Sequence, residues 1–180
     1  MIEIDDTKKR EHRDGFSNSM ATYYNIKAAM KEHREIIGCE YILLLEYHNG
    51  AENIATGYQF CKFDITIQVC GDNVQYIQID DYRDESIFKY DIFIHEHILK
   101  NRLSLFTVDE LEKIDPNFHY QLLKSTNDIN TIVTSHIYFE GHKAGALIYL
   151  FKESDTSKIK KLDVANCASK IEEILINEKN

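Results

Sequence analysis

A long hairpin near the C-terminus constrains this chain most. Residues from Ile129 to Phe139 are largely apolar and β-branched, and Ala144 to Phe151 is apolar again. Between them lies Glu140-Gly141-His142-Lys143, a short polar loop containing a glycine. A loop this short joins antiparallel strands only, because a parallel pair needs a crossover of about a dozen residues or more. Two strands cannot stand alone in water, so other elements must extend and cover them.

The rest of the chain supplies those elements. Met20, Tyr23, Ile26, Met30, His33 and Ile37 recur at helical spacing, with Ser17 or Ser19 as the cap and Gly38 as the C′ residue. Tyr41 to Tyr47 is a buried strand that runs into the turn His48-Asn49-Gly50. Residues 51–59 read as a loop or irregular strand. Phe60 to Val69 alternates, with Phe63, Ile65, Ile67 and Val69 expected on one face. Gly71-Asp72-Asn73 is a turn, and Val74 to Ile79 alternates again, less strictly.

Ser86 to Asn101 is expected as a helix carrying Ile87, Tyr90, Ile94, Ile98 and Leu99. Leu103 to Phe106 is a short strand. Thr107 and Glu110 fit a capping box, Pro116 interrupts, and Phe118 to Ser125 reads as a second short helix. The last helix is expected from about Ser157 to Asn177, with Leu162, Ala165, Ala168, Ile171 and Leu175 as its apolar stripe. This order predicts an α+β fold, a central antiparallel β-sheet flanked by N- and C-terminal helices. Residues 1–18 are expected as a flexible or helical arm, and 19–180 as a single domain.

Composition narrows the function classes. The formal charge of −9 argues against nucleic acid and against anionic membranes, both of which select basic surfaces. The 43% hydrophobic and 28% charged residues fit a globular domain. No signal peptide and no spanning segment is visible, so a cytoplasmic location is expected. Cys39, Cys61, Cys70 and Cys167 lack C-x-x-C spacing and read as reduced, partly buried thiols. Abundant Ile, Lys, Asn and Asp with one proline fit a phage or a low-GC bacterium.

The stretch Thr131-Ile-Val-Thr-Ser-His-Ile-Tyr-Phe-Glu-Gly-His-Lys-Ala-Gly-Ala-Leu-Ile-Tyr-Leu-Phe151 resembles the closing hairpin of the GAF family, a neighbour of the PAS-like folds. Gly141 matches the turn glycine and Gly145 the strand glycine. The opening helix and Tyr41 to Tyr47 are similar to the family's first helix and strand. The resemblance implies a sensor or ligand-binding module without catalysis. Family members bind cyclic nucleotides, tetrapyrroles, haem, small metabolites or nothing, and often dimerise through their terminal helices. A stand-alone form would leave its output to a partner protein.

The densest polar cluster beside strong strands is His48, Asn49, Asn53 and Thr56, with Phe60, Lys62 and Thr66 on the next strand. These seven are the candidate ligand residues; the alternative is an ordinary turn. A homodimer is expected through Tyr23, Met30, Ile37, Leu162, Ala168, Ile171 and Leu175. His95-Glu96-His97 could share a metal ion on a strand but not on a helix, and no zinc signature accompanies it. A strand between Cys61 and Cys70 would hold them too far apart to bond, and the cysteine motif of the GAF-fold methionine-sulfoxide reductases is missing. The acidic run Asp80, Asp81, Asp84 and Glu85 reads as a solvated loop. Lys158, Lys160 and Lys161 begin the last helix and Glu172, Glu173 and Glu178 end it, against the macrodipole. An antiparallel copy, or an acidic partner meeting that start with Lys31 and Arg34, would compensate, and so would plain solvation. Neither a cofactor nor a metal is expected. The alternatives to a sensor are an interaction protein without ligand and, last, a redox enzyme.

Overall fold

The computed structural model describes residues 6–48, 62–90, 102–124 and 126–177. The chain opens with helix α1 (Asp6–Ile37) and strands β1 (Tyr41–His48) and β2 (Lys62–Cys70). A short β3 (Glu85–Ser86) sits between two 3-10 turns, Ile79–Tyr82 and Ile87–Tyr90. Then come β4 (Leu103–Thr107), α2 (Val108–Ile114), α3 (Pro116–Leu123), β5 (Thr131–Phe139) and β6 (His142–Phe151). A 3-10 turn at Thr156–Lys158 leads into α4 (Lys161–Asn177).

The strands form one antiparallel sheet of order β3-β2-β1-β6-β5-β4. The expected α+β architecture is the observed one. Each sheet face has its own core. On one face α1 and α4 press Ile26, Met30, Ile37, Val164, Cys167 and Ile171 onto Ile42, Leu44, Val133 and Leu147. On the other, the 3-10 turns, α2 and α3 bring Tyr82, Tyr90, Leu111, Phe118 and Leu122 onto Leu43, Leu45, Phe63 and Ile148.

The alternation expected for β2 fails at one point. Leu44 pairs with Ile67 while Leu45 pairs with Ile65, which leaves Thr66 as a bulge. One extra residue flips every side chain beyond it. Phe63 and Ile65 therefore enter the α2/α3-side core, and Ile67 and Val69 enter the core under α1 and α4.

Other expectations change for local reasons. Val74 to Ile79 is not a strand; the Gln68 side chain donates to the Ile77 carbonyl at 2.7 Å and accepts from its N–H at 3.0 Å, replacing a ladder. Within Ser86 to Asn101, the described part is the end of β3 and a 3-10 turn, and residues 91–101 lie outside the described residues. Helix α1 starts at Asp6, so Ser17 and Ser19 lie inside it and do not cap it. Helix α4 starts at Lys161 because Asp155 caps a separate 3-10 turn through the Ser157 N–H. Its buried stripe is Val164, Cys167, Ala168 and Ile171, and Leu162 is 73% exposed.

The Thr107–Glu110 capping box is complete, with both reciprocal bonds formed. Pro116 sits in the first turn of α3, where its missing N–H costs nothing, and Asp115 accepts from the Phe118 N–H at 2.8 Å.

Two glycines close the sheet. Glu140 and Gly141, at φ of 51° and 79°, make the tight turn between β5 and β6. At Gly145 a Cβ would lie 2.2 Å from the Leu45 carbonyl oxygen, so only glycine lets β6 approach β1 this closely. Gly145→Ala is expected to lower the unfolding free energy by at least about 2 kcal/mol in a urea titration. Gly141→Ala, where a Cβ meets nothing within 4 Å, is expected to cost about 1 kcal/mol from backbone strain alone. Equal costs at the two sites would overturn the close-approach argument.

Candidate functional site

Of the seven candidate ligand residues, the described ones are His48, Lys62 and Thr66. His48 and Lys62 are cross-strand partners at the end of the β1–β2 pair. His48 Nε2 lies 3.1 Å from Asp64 Oδ1, and Lys62 Nζ donates to Asp84 Oδ2 at 2.6 Å. The Asp84 backbone N–H also donates to Asp64. The hydrogen bond from Lys62 holds the Asp84 carboxyl below its ordinary value. This network ties the turn before β3 to the sheet. Alternation places Glu46 and His48 on the face of Ile42 and Leu44, away from Tyr47 and Phe63. Thr66 stands apart at the bulge, with a buried hydroxyl that has no hydrogen-bond partner. Asn49, Asn53, Thr56 and Phe60 lie outside the described residues.

The acidic run is neutralised in place. Asp80 pairs with Arg83 at 2.8 Å, Asp81 with Lys124 at 2.9 Å and Glu85 with Lys89 at 2.8 Å. Among the described residues no cluster of His, Cys, Asp and Glu could hold a metal. His95, Glu96 and His97 lie outside them, as does Cys61. Cys39, Cys70 and Cys167 are unbonded thiols. Burial pushes the Cys39 thiol up strongly and Cys167 up to about 11, so neither is a thiolate at neutral pH.

The residues expected at a dimer interface divide in two. Met30, Ile37, Ala168 and Ile171 are covered by their own chain in the core under α1 and α4. Their helical stripe faces the sheet, so they offer no surface to a second copy. Tyr23 and Leu175 are half-buried, and Leu162 is exposed. Beyond that core, α1 and α4 leave an open groove of about 550 Å³ lined by Asn25, Ala28, Glu32, Lys170 and Ile174, among others. Two of the charges at the last helix find partners within the protomer. Lys160 Nζ donates to the Ile36 carbonyl at the end of α1, and Glu172 accepts from the Tyr138 N–H at 2.9 Å and faces Arg102.

A polar site that the sequence reading passed over lies on β5. Ile132 and Ala146 belong to the α2/α3-side core, and strand alternation places Thr134 and His136 on that same face. His136 is 1% exposed, and among the described residues neither ring nitrogen has a hydrogen-bond partner. The Thr134 hydroxyl, and the Tyr82 hydroxyl in the same core, also lack one. Burial first, then the nearby Lys143 ammonium and the Arg102 guanidinium, together lower His136 to about 4, against a contact with the Gly145 backbone that raises it. Buried polar atoms are nearly always paired, which makes this set the candidate site of the α2/α3-side core. The visible signal was Thr134-Ser135-His136, a polar break in an apolar strand.

No protein-family model matches the chain, and no curated protein matches it. Solved structures do. The phycocyanobilin-bound GAF domain of a cyanobacterial phytochrome aligns with 99% of this chain and 97% of its own, at TM-score 0.62 and 12% identity. The GAF domain of a two-component sensor histidine kinase from Bacillus halodurans aligns over 86% and 93%, at 0.59 and 13%. The PixJ GAF domain of Thermosynechococcus elongatus aligns over 91% and 92%, at 0.58 and 12%. At such identities the likeness is one of fold, and the chain has the GAF fold.

The His136 environment has a thermodynamic consequence. An unfolded imidazole takes up a proton near pH 6.5, whereas the folded one waits until about 4. The stability gained by keeping His136 neutral is complete above pH 6.5 and is lost as the pH falls toward 4, by about 3 kcal/mol in all. Urea unfolding of the wild type is expected to weaken over that window by this much more than His136→Gln does. Parallel pH profiles would show that the ring titrates normally in the fold.

Proposed function

We propose that this chain is a non-enzymatic sensor module of GAF type, which binds a small molecule in the cytoplasm and acts as a homodimer or through a partner protein. The observation that carries this reading is the set of unpartnered buried polar groups on the sheet face opposite α1 and α4: His136, Thr134 and Tyr82. A core that served stability alone would pair them or replace them with apolar groups. Among the structures sharing the fold, one carries phycocyanobilin and another comes from a sensor histidine kinase. The role carried over is that of a sensing module. Asn49, Asn53, Thr56 and Phe60 remain proposed as part of the ligand wall, while His48 and Lys62 are assigned to the network that fixes its rim.

A second reading is an interaction protein whose GAF fold holds no ligand. It is favoured by the aromatic filling of the same face, where Tyr90 packs edge-on to Phe118 at 5.3 Å and tilted to Phe63 at 5.9 Å. A thermal-shift screen of nucleotides and common metabolites separates the two. A ligand at a hundred times its Kd is expected to add about 2.7 kcal/mol to the stability of the wild type, and little to that of His136→Leu. A screen with no shift would leave the interaction protein.

The proposed dimer uses the outer surface of α1 and α4, where Tyr24, Ile36, Leu162 and Ile176 are exposed apolar residues. Leu162→Glu with Ile176→Glu is expected to halve the sedimenting mass while the circular dichroism is unchanged. A charge at Ile171 would instead unfold the protomer, since that residue is in the core. A wild type sedimenting as a single 21.1 kDa chain would exclude the homodimer.

A further inference from the structure

The polar groups around His136 share an electrostatic character. Arg102 is partly compensated, with its guanidinium 3.6 Å from Glu172 and stacked 5.3 Å over the Tyr138 ring. Lys143 is half-buried, and among the described residues it forms no ion pair. Burial alone lowers its ammonium below the ordinary value. A desolvated cation without a counterion is costly, and so is an unpartnered imidazole. The two occur together here, close enough that Lys143 disfavours protonation of His136. The two charges that act on the His136 ring, those of Lys143 and Arg102, are both positive.

The geometry leaves donors rather than acceptors in excess. The Thr134 hydroxyl can donate, a neutral imidazole supplies one N–H, and Lys143 supplies three. Across from His136 on β6 stands Ala146, and Lys143 stands across from Tyr138, two residues further along β5.

We propose that this group of side chains takes a small anion, the carboxylate or phosphate group of the sensed ligand, held by the His136 ring, the Thr134 hydroxyl and the Lys143 ammonium. The inference rests on the sensor reading and names the chemical class its ligand must carry. An anion supplies the missing counterion to Lys143 and acceptors to the orphaned donors. Its charge also favours the imidazolium, which then donates from both nitrogens.

Nuclear magnetic resonance of the His136 ring tests this on the full chain at constant ionic strength. The probes are inorganic phosphate, succinate and uncharged succinamide. Phosphate or succinate is expected to move the His136 ring resonances saturably, and succinamide to leave them in place. Phosphate acting alone would assign the site to the free ion, and succinate acting alone to an organic acid. Lys143→Met, at a partly exposed position expected to fold, should weaken binding at least tenfold, while Lys161→Met leaves it unchanged. His136→Gln, read by the thermal shift that the same anion gives the wild type, should abolish binding.

Failure has separable forms. If only succinamide moves the ring, the anion class falls and the sensor reading stands. If no probe moves it while the metabolite screen yields a ligand, the anion site is overturned and the ligand binds otherwise. If both are silent, both fall. Equal weakening by Lys143→Met and Lys161→Met would reduce the effect to general surface charge and overturn the site.

Discussion

The contact between β6 and β1 at Gly145 and Leu45 holds the sheet together. The chain forms its strands as two sequence-local sets, β1 with β2 and β5 with β6. Among the described residues, only the β1–β6 pairing joins them. Both cores run across that seam, with Leu45 and Ala146 in one and Leu44 and Leu147 in the other. A side chain at Gly145 would push the seam apart and open both cores at once.

A second constraint, the bulge at Thr66, decides which face each half of β2 serves. It lets one strand give aromatic and aliphatic bulk to the α2/α3-side core near β3 and to the α1/α4 core near the β2 C-terminus. Gln68 and Cys70 then face the irregular segment, where Gln68 takes over the backbone bonds of Ile77. The connection from β2 to β3 is thus held by side-chain chemistry rather than by a strand.

These facts explain what the sequence disclosed. The β5–β6 hairpin was legible because its turn glycine and its unbroken apolar runs are local signals. The Thr107–Glu110 box was legible because it spans one helical turn. The bulge was not, since Phe63, Ile65, Ile67 and Val69 alternate perfectly and the flip is set by the partner strand. Likewise Val74 to Ile79 has strand-like residues but no strand to pair with. In α4, Leu162 fits the helical period as well as Val164 does; packing against β5 and α1 decides which is covered. For the candidate site, proximity of polar residues to a turn pointed to His48 and Lys62, whose ion pairs with Asp64 and Asp84 come from residues far apart in sequence. His136 was hidden by the opposite effect, a polar residue inside a strand that otherwise reads as core.

The two cores differ in the polar groups that strand alternation brings to them. Under α1 and α4, the Tyr149 hydroxyl donates to the Val164 carbonyl at 3.2 Å, and the neighbouring thiols of Cys39 and Cys167 stay neutral by burial. On the other face, alternation along the single strand β5 carries Thr134 and His136 into a core beside uncompensated positive charge. Apolar residues at those positions would be easier to bury. The cost of burying these groups is what the proposed anion would offset, and the Lys143 ammonium beside them sets the sign of the charge it would carry.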